Sequence, residues 1–410
     1  MDFQRAKGTE DFYPIDESIK QYLFNQFRKV SASFGFQEVS SPAFENFELL
    51  SKKEGEEIKE QIFTLEQRGN ERLGLRFDLT VPNTRMFMQK QKELQKPIKW
   101  ITCDKMWRYE RPQKGRLREF YQMNMEIFGS PNSEADAEVI TAAITFFQSL
   151  GLTNQDFEVR LNNRKLLQGL LAVLVGGDLV EEVTRLIDKR EKMEPEEWKK
   201  AVKAVGVKDV EELTRVLNIN SIEKLEQLDK NSLAQEGFLE LQQVYSLLDK
   251  NYARIDLNTA RGLAYYTSTV FEGFDKKGVY RALFGGGRYD KLVELFGGTP
   301  TPATGYAIGL STLRLLLEDR DKLPKTSFVL DYYIAPMGKP YLGAAMKLAS
   351  MLRKKYSCDI DLMQRSLSKQ ISHAKSLNAE NFIVIGEKEI ASKKVTVKHL
   401  STGKETQLPL

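Results

Sequence analysis

Between Trp107 and Gly129 the chain reads WRYERPQKGRLREFYQMNMEIFG. The pattern predicts an outgoing strand over Trp107–Arg111, a turn over Pro112–Gly115 and a returning strand over Leu117–Phe128. Side chains alternate across a strand, so Arg118, Phe120, Gln122, Asn124 and Glu126 share one face, and Glu119, Tyr121, Met123, Met125 and Ile127 the other. The second face suits a core. The first is a polar row that ends in an acid and is flanked by apolar residues, which fits a pocket floor better than a solvated surface. Phe120 offers a ring on which a base could stack. Arg108, Arg111, Arg116 and Arg118 fall within eleven residues, and four guanidinium groups so close together could clamp a polyphosphate. A charged, exposed hairpin is the plainer alternative.

Three other segments carry possible chemistry. Leu75–Thr80 reads as a strand with Leu75, Phe77 and Leu79 on one side and Arg76, Asp78 and Thr80 on the other. An acid between a base and a hydroxyl suits an ammonium ligand, although an ordinary half-buried strand has the same pattern. RGLAYYTSTVFE (Arg261–Glu272) places an arginine before a glycine and a tyrosine pair. Gly285–Gly287 would let the backbone come close to a ligand or make a tight strand turn. It is neither a P-loop nor a dinucleotide fingerprint. The two histidines, His373 and His399, lie near the C-terminus. The preceding residues therefore hold no histidine base, no histidine metal ligand and no Ser-His-Asp triad. Two distant cysteines, Cys103 and Cys358, exclude a disulfide framework and a cysteine-rich zinc site.

These residues need a scaffold. The chain of 410 residues is long enough for two or three domains. A net charge of +4 excludes a global basic field but not a local one. Ser18–Phe34 predicts an amphipathic helix and Gln37–Ser40 a short strand. The later two-residue alternation predicts a largely antiparallel sheet with one working face. Residues 178–250 carry 12 basic and 17 acidic side chains in helical patterns, so 165–255 is read as a mainly helical insertion within a body formed by 1–164 and 256–325. Residues 328–410 carry 13 basic and 7 acidic side chains, net +6, which leaves −2 for 1–327. This tail alternates strand and helix: Phe328–Ala335, Gly338–Tyr356, Asp359–Met363, Ser366–Leu377 and Phe382–Ile385. That pattern predicts a small α/β domain. The polar start Met1–Glu10 has no secretory character, and the most apolar stretch, Leu166–Val175, is far shorter than the ~20 residues of a membrane span. A cytoplasmic protein with no membrane association is expected.

FQRAKGTEDFYP, GFQEVSSPAFE, LRFDLTVPNTR, the Trp107–Gly129 hairpin, RGLAYYTSTVFE and GGGRYDKLV follow one another in an order that resembles the histidyl-tRNA synthetase family. YIAPMG and QRSLSKQ resemble the anticodon-binding domain of the same family. The resemblance implies an α+β fold: the class II synthetase antiparallel sheet flanked by helices, with a helical insertion and a C-terminal α/β anticodon-binding domain at 328–410. It implies a homodimeric ligase that activates histidine with ATP and Mg²⁺ and passes it to tRNA(His). Asp78, Thr80 and Gln122 resemble the groups that hold the α-amino group. Glu126 and Tyr266, with Tyr265 beside them, resemble those that read the imidazole. Arg108 resembles the α-phosphate ligand, Arg116 the arginine on the outer phosphates, and Glu110 and Phe120 the adenine contacts. Arg261 resembles an arginine that acts where other class II enzymes rely on metal, and no protein metal ligand is implied. Two positions depart from the family pattern. Ala264 replaces an acid. Thr312 stands where the third motif usually has an ATP-binding arginine, and Arg314, two residues on, is ~200° round a helix. Arg116 and Arg118 are the candidates to compensate. The competing readings are an inactive paralogue acting as a histidine-binding regulatory subunit and an RNA-binding protein without chemistry.

Overall fold

The computed structural model describes residues 3–52, 56–67, 69–113, 115–260, 265–280, 282–325 and 329–410. The chain divides into two compact units, one of residues 1–11 and 20–323, the other of residues 12–19 and 324–410.

An eight-stranded sheet organises the first unit. Its strands run in the spatial order Gln37–Glu38, Ile98–Trp107, Glu119–Phe128, Ala303–Gly309, Phe284–Arg288, Thr269–Asp275, Phe157–Asn163 and Ala253–Ile255. The six inner strands pair antiparallel, and the two outermost strands join in parallel. The alternation of the returning strand holds, but the outgoing strand is Ile98–Trp107 and ends where the sequence pattern has a strand over Trp107–Arg111 begin, because the ladder with Glu119–Phe128 stops at Trp107 opposite Glu119. Met123, Met125 and Ile127 are buried on one face, and Arg288 on that same face is bound to Asp136 of the helix Ser133–Ser149 (2.9 Å). Phe27, Phe146, Phe147, Phe157 and Phe284 form a chain of ring contacts at 5.0–5.8 Å there. The helix Pro14–Ser33 begins earlier than the apolar pattern indicates, with proline at its first position, where no N–H is needed.

Leu75–Thr80 is not one strand. The strand is Leu73–Leu75, and a helix runs over Thr80–Lys90. Arg76 is buried, and its guanidinium is spent on protein contacts. It pairs with Asp104 (2.6 Å) and donates to the carbonyls of Ser41 (2.6 Å), Pro42 (3.1 Å) and Lys105 (3.0 Å). Those bonds turn the chain out of the ladder. Asp78 then accepts the N–H of Val81 (3.0 Å) in the first helical turn.

Residues 164–247 are helical in six stretches, Arg164–Val175, Val180–Lys189, Pro195–Ala204, Val210–Leu217, Ile222–Glu226 and Ser232–Leu247, with two short 3₁₀ turns between them. The first and last cross very closely. A Cβ on Gly237 would lie 2.2 Å from the backbone nitrogen of Leu166.

In the second unit, Leu330–Pro336, Cys358–Ile360 and Ala379–Ile385 form a parallel core. Lys394–His399 and Glu405–Pro409 extend it antiparallel, a hairpin that the alternating pattern of the tail does not predict. Ile334 and Ile383 face the helix Lys339–Leu352, while Tyr333, Ala335 and Phe382 face the helix Leu367–Ser376. No helix among the described residues is long and apolar enough to cross a membrane.

Candidate active site

The working face of the large sheet opens into a cavity of about 1040 Å³. Its floor is made by registration. Gln122, Asn124 and Glu126 stand opposite Gly309, Ala307 and Gly305 on the neighbouring strand. Ala307 is in turn opposite Gly285, and Gly285 opposite Glu272. A row of side chains thus faces a strip of residues with little or no side chain, and a ligand can lie across the strip. Adding a Cβ to Gly286 would place it 2.0 Å from the carbonyl oxygen of Gly305. The middle glycine of the run therefore serves the approach of two strands, while Gly285 lines the cavity.

Asp78, Thr80, Arg108, Glu110, Arg116, Phe120, Gln122, Tyr265 and Tyr266 all line this cavity. Glu126 is buried and does not itself line the cavity; it lies behind the lining residues Gly305 and Tyr289, where its Oε2 accepts from Asn83 Nδ2 (2.6 Å) and Asn83 also donates to Thr102 (3.0 Å). A Cβ on Gly305 would be 2.9 Å from both Glu126 Cγ and the Tyr289 hydroxyl, so those two groups are near neighbours. Tyr265, Tyr266 and Tyr289 cluster with ring centroids 4.5, 5.9 and 6.4 Å apart. Burial, then the charge of Glu126, raises the Tyr289 pKa well above the ordinary value. The hydroxyl therefore stays protonated beside a carboxylate.

The cations divide. Arg108 donates to the carbonyl of Phe77 (2.9 Å) and stands 5.3 Å from the Phe120 ring centroid. Arg116 is ion-paired with Glu110 across the hairpin turn. Arg118 does not join them: it lies 4.1 Å over the Tyr109 ring and donates to the carbonyl of Glu110 (3.0 Å). Arg111 is exposed. The four-arginine clamp reduces to two because the turn sends alternate arginines outward. Arg261 and Ala264 lie outside the described residues. Thr312 lines the cavity, and its hydroxyl would be 3.7 Å from a Cβ on Gly115, beside Arg116. Arg314 points elsewhere, towards Glu10 (3.7 Å).

Sequence reasoning missed a whole wall. Arg164, Gln168, Arg185, Lys189 and Lys192, together with Glu181 and Asp188, face the same cavity. Burial lowers the Arg164 pKa, with Glu181 opposing. The acidic balance of 178–250 hid these cations, because a net count ignores which side of a helix each residue occupies. Asn83 and Tyr289 stood in quoted segments, but only their contacts show that they belong to the site.

A family model described as histidyl-tRNA synthetase matches residues 8–313, and one described as an anticodon binding domain matches residues 331–410. The chain belongs to the histidyl-tRNA synthetase family. It is 39% identical over 420 residues to the histidine–tRNA ligase of Halobacterium salinarum, covering 100% of this chain and 96% of that one. The chloroplastic/mitochondrial histidine–tRNA ligase of Arabidopsis thaliana is 38% identical over 416 residues, covering 100% and 86%. The solved histidyl-tRNA synthetase of Nostoc sp. PCC 7120 superposes with a TM-score of 0.81 at 25% identity, covering 100% and 97%. This synthetase is a ligase that joins histidine to tRNA, with ATP as a substrate. The regulatory alternative has less support, since the matches take in both the catalytic segment and the anticodon domain.

Proposed function

We propose that histidine and ATP lie end to end in this cavity, histidine at the Glu126 end and adenine at the Phe120 end. One observation carries the reading: the polar row stands on one strand over a floor of glycine and alanine. Phe120 to Glu126 is six residues, roughly 20 Å of strand, enough for an amino acid joined to a nucleotide. Asp78, Thr80 and Gln122 hold the α-ammonium. Glu126 and Tyr266 accept from and donate to the two nitrogens of a neutral imidazole. A site built from such pairs rejects an apolar competitor by ~10⁴-fold, because its buried polar groups would go unpaired.

A carboxylate oxygen of histidine attacks the α-phosphorus in line, and the bond to the bridging oxygen breaks to release pyrophosphate. The terminal ribose hydroxyl of tRNA then attacks the acyl carbon, and AMP leaves. No step requires a histidine base. Arg108 and Arg261 neutralise charge at the α-phosphate, Arg116 holds the outer phosphates, and positioning supplies the rate. Among the described residues no cluster of three acids, histidines or cysteines could cage a metal. That donor set suits Mg²⁺ carried on ATP, which needs only one or two protein carboxylates. Glu272 in the cavity wall would be such a ligand, and the ion would add positive charge at the phosphates.

The same reading assigns catalysis to 1–164 with 256–325, an insertion to 165–255 and anticodon binding to 328–410, in a cytoplasmic homodimer acting on tRNA(His). Histidine-dependent ATP–pyrophosphate exchange by the purified protein tests the central step. Exchange that requires histidine is the expected result; none in the presence of Mg²⁺ would overturn the assignment.

A further inference from the structure

The strand Phe157–Asn163 ends in two consecutive asparagines, both fully buried, and the reaction above uses neither. The Asn162 amide donates to the carbonyls of Leu257 (3.0 Å) and Thr259 (3.1 Å), and its Oδ1 accepts the N–H of Asn163 (2.7 Å). Asn163 points to the opposite face. Its amide donates to the hydroxyl of Ser268 (3.1 Å) and to Glu240 (2.8 Å), while its Oδ1 accepts from the N–H groups of Lys165 (2.9 Å) and Leu166 (3.2 Å). The next backbone N–H, that of Arg164, donates to the carbonyl of Ser268 (2.8 Å). Glu240 also accepts from the Ser268 hydroxyl and from Lys165 (2.6 Å).

These bonds begin where the ladders stop. Pairing with Ala253–Ile255 ends at Leu161 opposite Ile255, and pairing with Thr269–Asp275 starts at Asn163 opposite Thr269. Residues 256–260 and 265–268 lie outside the named strands, and Ala260, Tyr265 and Tyr266 among them line the cavity. Side-chain amides hold the first stretch at 257 and 259 and the second at 268. The chemistry calls for an amide: two carbonyls need two donors from one side chain, which asparagine has and aspartate lacks.

We infer that Asn162 and Asn163 are positioning residues for histidine recognition, fixing both ends of the segment that carries Tyr265 and Tyr266. The inference rests on the proposed contact of Tyr266 with the substrate imidazole.

Pyrophosphate exchange is measured at varied histidine and at varied ATP for Asn162→Asp, Ser268→Ala, Tyr266→Phe and the double variant Asn162→Asp/Tyr266→Phe, with the thermal midpoint as a fold control. Asn162→Asp should raise the histidine KM about tenfold or more, the scale of losing a buried hydrogen-bond pair, and leave the ATP KM within about twofold. Ser268→Ala should move the same constant by a smaller factor, and it decides the matter if Asn162→Asp does not fold. The double variant should fall short of the product of the single effects, because a displaced tyrosine has less to lose. Equal rises in both KM values, or an unchanged histidine KM in a folded variant while Tyr266→Phe raises it, would overturn the positioning role. A Tyr266→Phe enzyme with normal histidine KM would instead overturn the imidazole assignment, and the inference with it.

Discussion

Glu126 accepts from Asn83 at 2.6 Å while Tyr289 stands beside it, so a glutamine could keep the first bond and the packing. What Glu126→Gln removes is the negative charge proposed to orient an imidazole N–H. Charge-assisted bonds are worth about 1.5–3 kcal/mol, so histidine affinity should fall about 10- to 100-fold while ATP affinity barely changes. Titration calorimetry checks both, and unchanged histidine binding would place the imidazole elsewhere. The missing third-motif arginine is also a residue-scale problem. Thr312 sits under the turn that carries Arg116, and Arg118 is committed to Tyr109. Arg116 is thus the described hairpin cation left to compensate, and ATP phosphates would compete with Glu110 for it. Arg116→Ala should reduce exchange by about 100-fold, the scale of about 3 kcal/mol of transition-state stabilisation. Thr312→Arg should leave exchange intact or tighten ATP modestly. The reverse ranking in steady-state kinetics would show that another cation does this work.

Elements bring these residues together, and here the sequence was legible in part. The hairpin faces could be read because a two-residue period survives unbroken from Phe120 to Phe128. The same period misled at Leu75–Thr80, where alternation continues although the backbone has left the strand. The cause is the burial of Arg76 against Asp104, Ser41 and Pro42, contacts far apart in sequence that no local pattern encodes. The strand Phe284–Arg288 was equally hard to read, since three glycines present no period and disfavour strands in isolation. Its register explains them. At Gly286 a methyl group would meet backbone, which cannot move aside as a side chain can. Gly286→Ala should therefore cost about 3 kcal/mol or more, at the upper end of overpacking effects, and thermal unfolding should show it as a clear fall in midpoint. A variant as stable as the parent would mean that the two strands can separate without penalty.

At the scale of the whole molecule, charge is unevenly distributed. Residues 328–410 carry net +6 while the rest of the chain is net −2, so attraction for tRNA phosphates should concentrate in the C-terminal unit. Removing everything after Pro324 would be a poor test, because residues 12–19 belong to the same compact unit and would lose their packing. Point substitutions avoid this. In parallel sheets ligands meet the carboxyl ends of the strands, and just past those ends the exposed Lys339 and Lys388 follow Leu330–Pro336 and Ala379–Ile385. Exposed Lys369 lies on the helix after Cys358–Ile360. Removing a single lysine–phosphate pairing should flatten the dependence of log affinity on log salt by about 0.7–0.9. Replacing all three lysines by alanine should therefore weaken tRNA binding most at low salt and reduce that slope by about 2, while histidine-dependent exchange should stay unchanged if the proposed site in the other unit carries the chemistry. A triple variant with the parental slope would place the phosphate contacts on another surface, and the cationic wall of Arg185, Lys189 and Lys192 would be the next to test.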